Sequence, residues 1–152
     1  MHSRRVLLGC LVIAAAMEVA AQGKPRVLAE TGMKPGLWEL ATVIEMSDST
    51  DRRTVTSRLC YASDEAASPL RVLPPHRGLG MKCQVQDLKT TEAPNITWKV
   101  VCKGKRGTFA GSGNMVPGPT SYTAQTNLEQ KSARKPSRID ETTTGRWVAE
   151  CK

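Results

Sequence analysis

The cysteines are the residues of this chain best able to do chemistry, and their spacing narrows that chemistry at once. Of five, Cys10 lies in an apolar stretch near the start, while Cys60, Cys83, Cys102 and Cys151 are spread over the rest. No Cys-x-x-Cys is present, so nothing supports a dithiol redox centre. The wide spacing and a total of two histidines also fail to make a zinc site. Four cysteines in an oxidising compartment read instead as two structural disulfides.

His76 is the one histidine outside the first few residues, so a His-centred acid–base or nucleophilic mechanism would have to use it. Its setting, Pro74-Pro75-His76-Arg77-Gly78, is turn chemistry with no Ser or Cys nucleophile beside it, and an exposed loop residue is expected. Asp64 and Glu65 could form a carboxylate pair, but the first turn of a helix explains them better. Asn95-Ile96-Thr97 has the form of a glycosylation sequon, a triplet that also arises by chance. Gly111-x-Gly113 neither opens a helix nor carries a phosphate-loop lysine, so it reads as a sheet bend or a seat for a Trp ring. No catalytic residue, metal, cofactor or nucleic-acid partner is expected. A hydrolase built on dispersed carboxylates and His76 has no motif behind it.

Two further sets of side chains could bind rather than react. Trp38, Trp98, Trp147 and Tyr122 lie in alternating segments and read as core, or else as a platform on which an apolar ligand stacks. Glu39, on the opposite face from Trp38, reads as solvated. Arg71, Arg77, Lys82, Lys103, Lys105 and Arg106 gather around the central cysteines and could form one basic patch. With a net charge of +8, such a patch serves solubility or meets an anionic partner.

The elements that position these residues begin with an export signal. Arg4-Arg5, the apolar run Val6 to Met17 and the small residues Val19-Ala20-Ala21 have the order of a cleavable signal peptide over residues 1–21. Leu7-Leu8-Gly9-Cys10 resembles a lipobox, but the apolar run continues past Cys10, which favours cleavage near Ala21 over lipid anchoring. The run is too short to span a bilayer, and no transmembrane segment is expected in the mature chain. Removing 21 of 152 residues leaves 131, enough for one domain with its own core, and lowers the formal charge from +8 to +7.

A polar lead-in over 22–34 precedes a single β domain over 35–152. Trp38, Leu40, Thr42, Ile44 and Met46 alternate onto one strand face, and Arg53 to Cys60 forms its hairpin partner. One short helix is expected after Ser63, taken as its N-cap, and it must stop before Pro74-Pro75. Cys83 to Lys89 and Asn95 to Cys102 form the clearest hairpin, followed by strands at Thr108–Val116, Ser121–Glu129 and Ile139–Val148. The fold class is mainly β: about seven antiparallel strands in a curved sheet or partly closed barrel, with one helix between strands two and three. A symmetrical hairpin sets Cys83 beside Cys102, and strand parity puts Cys102 and Cys151 at opposite ends. The preferred pairing is therefore Cys83 with Cys102 and Cys60 with Cys151, with Cys60–Cys83 left open.

Several stretches together resemble a known family. Pro35-Gly36-Leu37-Trp38-Glu39 after an export signal is similar to the opening of DUF3617, a bacterial exported family of unknown function. Cys60-Tyr61, the acidic helix ending at Leu73-Pro74-Pro75 and Cys83-Gln84-Val85-Gln86-Asp87 fit the same pattern. So do Trp98-Lys99-Val100-Val101-Cys102, Gly111-x-Gly113, and Gly145-Arg146-Trp147 with Cys151. The chain departs from the pattern in a Met- and Gly-rich tract reduced to Met46 and in a longer spacing from Gly145 to Cys151. The resemblance implies a periplasmic or envelope location and assigns no activity.

The resulting expectation is a periplasmic, non-enzymatic protein whose curved sheet binds an apolar or amphipathic envelope ligand on its concave face. The alternative is a basic surface that binds anionic envelope polymers or lipids.

Overall fold

A computed structural model describes residues 30–74, 76, 80–90, 95–130 and 137–152. The signal peptide, most of the lead-in and Arg77 lie outside the described residues. The strands are β1 (Gly36–Met46), β2 (Arg52–Tyr61), β3 (Lys82–Thr90), β4 (Ile96–Gly104), β5 (Gly107–Pro117), β6 (Ser121–Gln130) and β7 (Arg138–Ala149). One helix, α1 (Ser63–Ala67), lies between β2 and β3. All strand pairings are antiparallel, in the order β2-β1-β7-β6-β5-β4-β3, so the sheet is open with β2 and β3 at its edges. The mainly β, seven-stranded fold with one short helix in the expected place is therefore observed.

The alternation of buried and exposed residues follows from the two-residue period of the strand. On β1, Trp38, Leu40, Thr42 and Ile44 face inward; on β6, Tyr122, Ala124, Thr126 and Leu128 do the same. The inner face would be open to water if nothing covered it. The connection from β2 to β3 does so, burying Ala66 and Val72 completely and packing Leu73 and Met81 against the same core.

That connection starts with α1 at one end of the sheet. Its N-cap is Ala62 rather than the expected Ser63, and the Ala62 N–H donates to the Glu65 carboxylate at 3.1 Å. The helix stops at Ala67, ahead of the buried Pro69, whose ring cannot continue it. Residues before β1 clasp this end: the Thr31 hydroxyl donates to the Ala66 carbonyl, and the Thr31 N–H donates to the Ala67 carbonyl at 3.3 Å.

Cys60 is bonded to Cys151 and Cys83 to Cys102. Because β2 ends where β7 ends, and β3 begins where β4 ends, the two bridges lie at opposite ends of the sheet. They also bracket the covering connection, one just before it and one just after.

Candidate functional site

At the end of the sheet where β1 starts, aromatic rings pack the inner face. Trp38 is fully buried, with its ring centroid 5.7 Å from that of Tyr122, and it pairs across the strands with Trp147. The indole N–H groups of Trp38 and Trp147 donate to the carbonyls of Lys34 and Pro35, at 2.9 and 3.0 Å. Lys34 places its ammonium 3.7 Å from the centre of the Trp147 ring. Gly36 has φ of 136°, and a Cβ there would meet Trp147 Nε1 at 2.4 Å, so the Pro35-Gly36-Leu37-Trp38 motif acts as a structural clasp. Burial, with the nearby Tyr61 as a smaller cause, raises the Tyr122 hydroxyl far above its usual range and keeps it neutral.

Trp98 does not join this cluster. It sits on β4 directly opposite Gly113 of β5, where a Cβ would come within 2.3 Å of the indole ring. Of the glycine pair read from sequence as a seat for a Trp ring, Gly113 seats Trp98, while Gly111 admits the backbone of Asn127. Trp38, Trp98 and Tyr122 are all 4% exposed or less, and Trp147 is half-buried. The structure places these four residues in packing roles, and the concave face they line is occupied by the chain's own β2–β3 connection.

His76 corrects the expectation of an exposed loop residue. It reaches from that connection to Glu141 on the inner face of β7, with Nδ1 2.5 Å from Oε2 and side chains 9% and 4% exposed. A buried carboxylate needs such a partner, because desolvating an unpaired charge is costly. Glu141 escaped sequence reading, although its place between Ile139 and Thr143 in the alternation of β7 marks it as inward-facing. A neighbouring inward pair, Thr42 and Thr143, shares a hydroxyl hydrogen bond of 2.8 Å. A His–carboxylate pair can move protons, but this one is enclosed in the core.

Glu39 is also corrected. It lies on the outer face between Arg58 of β2 and Arg146 of β7, at 3.1 and 2.7 Å, with its side chain 20% exposed. Hydrogen bonds from Arg146 first, then Arg58, hold its carboxyl below the usual range. Asp64 and Glu65 remain at the start of α1.

Among the described residues, the opposite end of the sheet carries two adjoining clefts. A cleft of about 330 Å³ is lined there by Met46, Gly80, Met81, Phe109 and Ile139, with Lys105 and Arg106 at its rim. A second cleft of about 350 Å³ adjoins it through Met46 and Arg106 and is lined by Ile44, Asp48, Asp51 and Arg53 among others. Lys105 and Arg106 form the tip between β4 and β5, anchored where the Gln130 side chain donates to the Arg106 carbonyl at 2.6 Å. The Arg106 guanidinium folds back over the cleft to Met46 Sδ at 3.8 Å.

Lys82 and Lys103 pair across β3 and β4 at this same end. Four of the six expected basic residues therefore lie at this end, none ion-paired to a carboxylate among the described residues, with Lys82 and Lys103 on the outer face by strand alternation. Arg71 stands apart, exposed on the connection just after α1. Among the described residues no three metal-ligating side chains converge, and no helix is long and apolar enough to cross a membrane.

The molecule thus belongs to a class of open antiparallel sheets that enclose their own crossover segment, bridged at both ends by disulfides. Residues 33–151 match the family described as "Protein of unknown function (DUF3617)", and the chain belongs to that family. No curated protein and no solved structure matches it.

Proposed function

We propose that this is a non-enzymatic, periplasmic binder of a small anionic amphiphile, with the cleft at the opposite end of the sheet as its site. The observation that carries this reading is the union of an apolar floor with an unneutralised cationic rim. Met46, Met81, Phe109 and Ile139 supply the floor, and Lys105 and Arg106 the rim. A hydrocarbon segment gains by leaving water for such a floor, while an anionic head keeps hydrogen bonds to a guanidinium at the mouth. The cleft is at the lower limit of small-molecule sites, which suits a short chain. The four cationic side chains at this end, without a carboxylate partner among the described residues, support a second reading, a surface that holds anionic envelope polymers.

Titration calorimetry with octanoate and with heparin separates the two. Octanoate binding that weakens about tenfold in Lys105→Ala/Arg106→Ala, and that changes little with salt because part of it is apolar, supports the cleft. Heparin binding that collapses with salt, without octanoate binding, would replace it with the polymer reading. Binding of neither probe removes both.

A further inference from the structure

The buried His76–Glu141 pair is the strand neighbour of two cleft-lining residues, Ile139 and Ile44. Ile139, which lines the cleft, and Glu141 are successive inward residues of β7, so the carboxylate is one strand repeat, roughly 6–7 Å, further in. Ile44, which lines the adjoining cleft, is the direct cross-strand partner of Glu141. His76 comes from the same connection that supplies Gly80 and Met81 to the opposite cleft wall. The connection and β7 are therefore joined by a 2.5 Å contact one inward position past Ile139. Thr126 on β6 lies level with Glu141, and the next inward position on β1 and β7 is the hydrogen-bonded Thr42–Thr143 pair.

We infer that His76 and Glu141 form the end wall of the binding cleft and limit its ligands to short acyl chains. The inference rests on the reading of the cleft as an amphiphile site. A methylene carried past Ile139 would have to separate a hydrogen-bonded, desolvated pair and then lie against threonine hydroxyls. Each of those steps costs more than burying that methylene gains. Chain length is thereby selected by a polar wall rather than by the volume of the mouth.

The test compares octanoate and hexadecanoate by titration calorimetry in the full mature protein and in His76→Ala/Glu141→Ala, with folding checked by circular dichroism. The native protein should favour octanoate or bind the two equally. The double variant should shift the ratio toward hexadecanoate by about tenfold or more, the gain of roughly two further buried methylenes. If the double variant does not fold, Glu141→Gln keeps the shape, removes the charge and should shift the same ratio by about threefold. A native protein that binds octanoate, with variants that leave the ratio unchanged, overturns the end wall and leaves the cleft reading intact. A native protein that binds neither acid overturns both.

Discussion

The two ends of this sheet are built from the same alternating strands and have opposite fates. At the start of β1, every inward position that lacks bulk is matched by an aromatic ring: Trp147 lies over Gly36, and Tyr122 faces Gly145. At the other end Met46, Met81, Phe109 and Ile139, with no Trp among them, border a cleft among the described residues. Each end has one disulfide, but Cys60 and Cys151 are exposed while Cys102 is fully buried. The difference teaches that burying rings and leaving a cleft are alternative outcomes of one strand pattern, decided by side-chain volume.

Removing the bridges tests the comparison most severely. In the chain-entropy account the cost grows with the closed loop, and the bridges span 91 and 19 residues. Cys60→Ala/Cys151→Ala should therefore lose about 4–5 kcal/mol and Cys83→Ala/Cys102→Ala about 3, read by denaturant unfolding. The reverse order would show that packing around the buried Cys102 outweighs chain entropy. Next comes Gly113→Val, which drives two methyl groups into the Trp98 ring. It should cost about 2–3 kcal/mol and lower the Tm by roughly 5–15 °C, read by scanning calorimetry.

At the cleft end, Lys105→Ala/Arg106→Ala should leave stability within about 0.5 kcal/mol, since both side chains are exposed. A large loss of stability there would mean that the rim is structural and the two ends are alike. The smallest effect belongs to Glu39, whose pKa is lowered in the fold. Its contribution is present above the unfolded carboxyl value and is lost as the pH falls through the lower, folded one. Glu39→Gln should accordingly flatten the decline of stability on the acid side and change little near neutrality, measured by unfolding across that range.

Much of the fold was legible in the sequence because a period of two is local. Trp38, Leu40, Thr42 and Ile44 announce an inward face without reference to any other strand, and Pro35-Gly36 announces where it starts. The hairpin that sets Cys83 against Cys102 could be read because its two strands are neighbours in the chain. The candidate site was legible only in its cations. Lys105 and Arg106 stood out as charges, but their apolar floor comes from β1, the β2–β3 connection, β5 and β7, which no local pattern relates.

Sequence alone thus determined the strand count, the place of the helix and the faces of the strands, because each depends on residues within one or two turns of chain. Tertiary structure alone decided what the concave face holds. His76 looked like a turn residue because its neighbours are prolines and a glycine; its partner Glu141 is 65 residues away. Glu39 looked solvated because its two arginines sit on other strands, 19 and 107 residues distant. A charge is read correctly from sequence only when its partner is near in sequence, and in an open sheet that folds over its own connection the partners are brought by register.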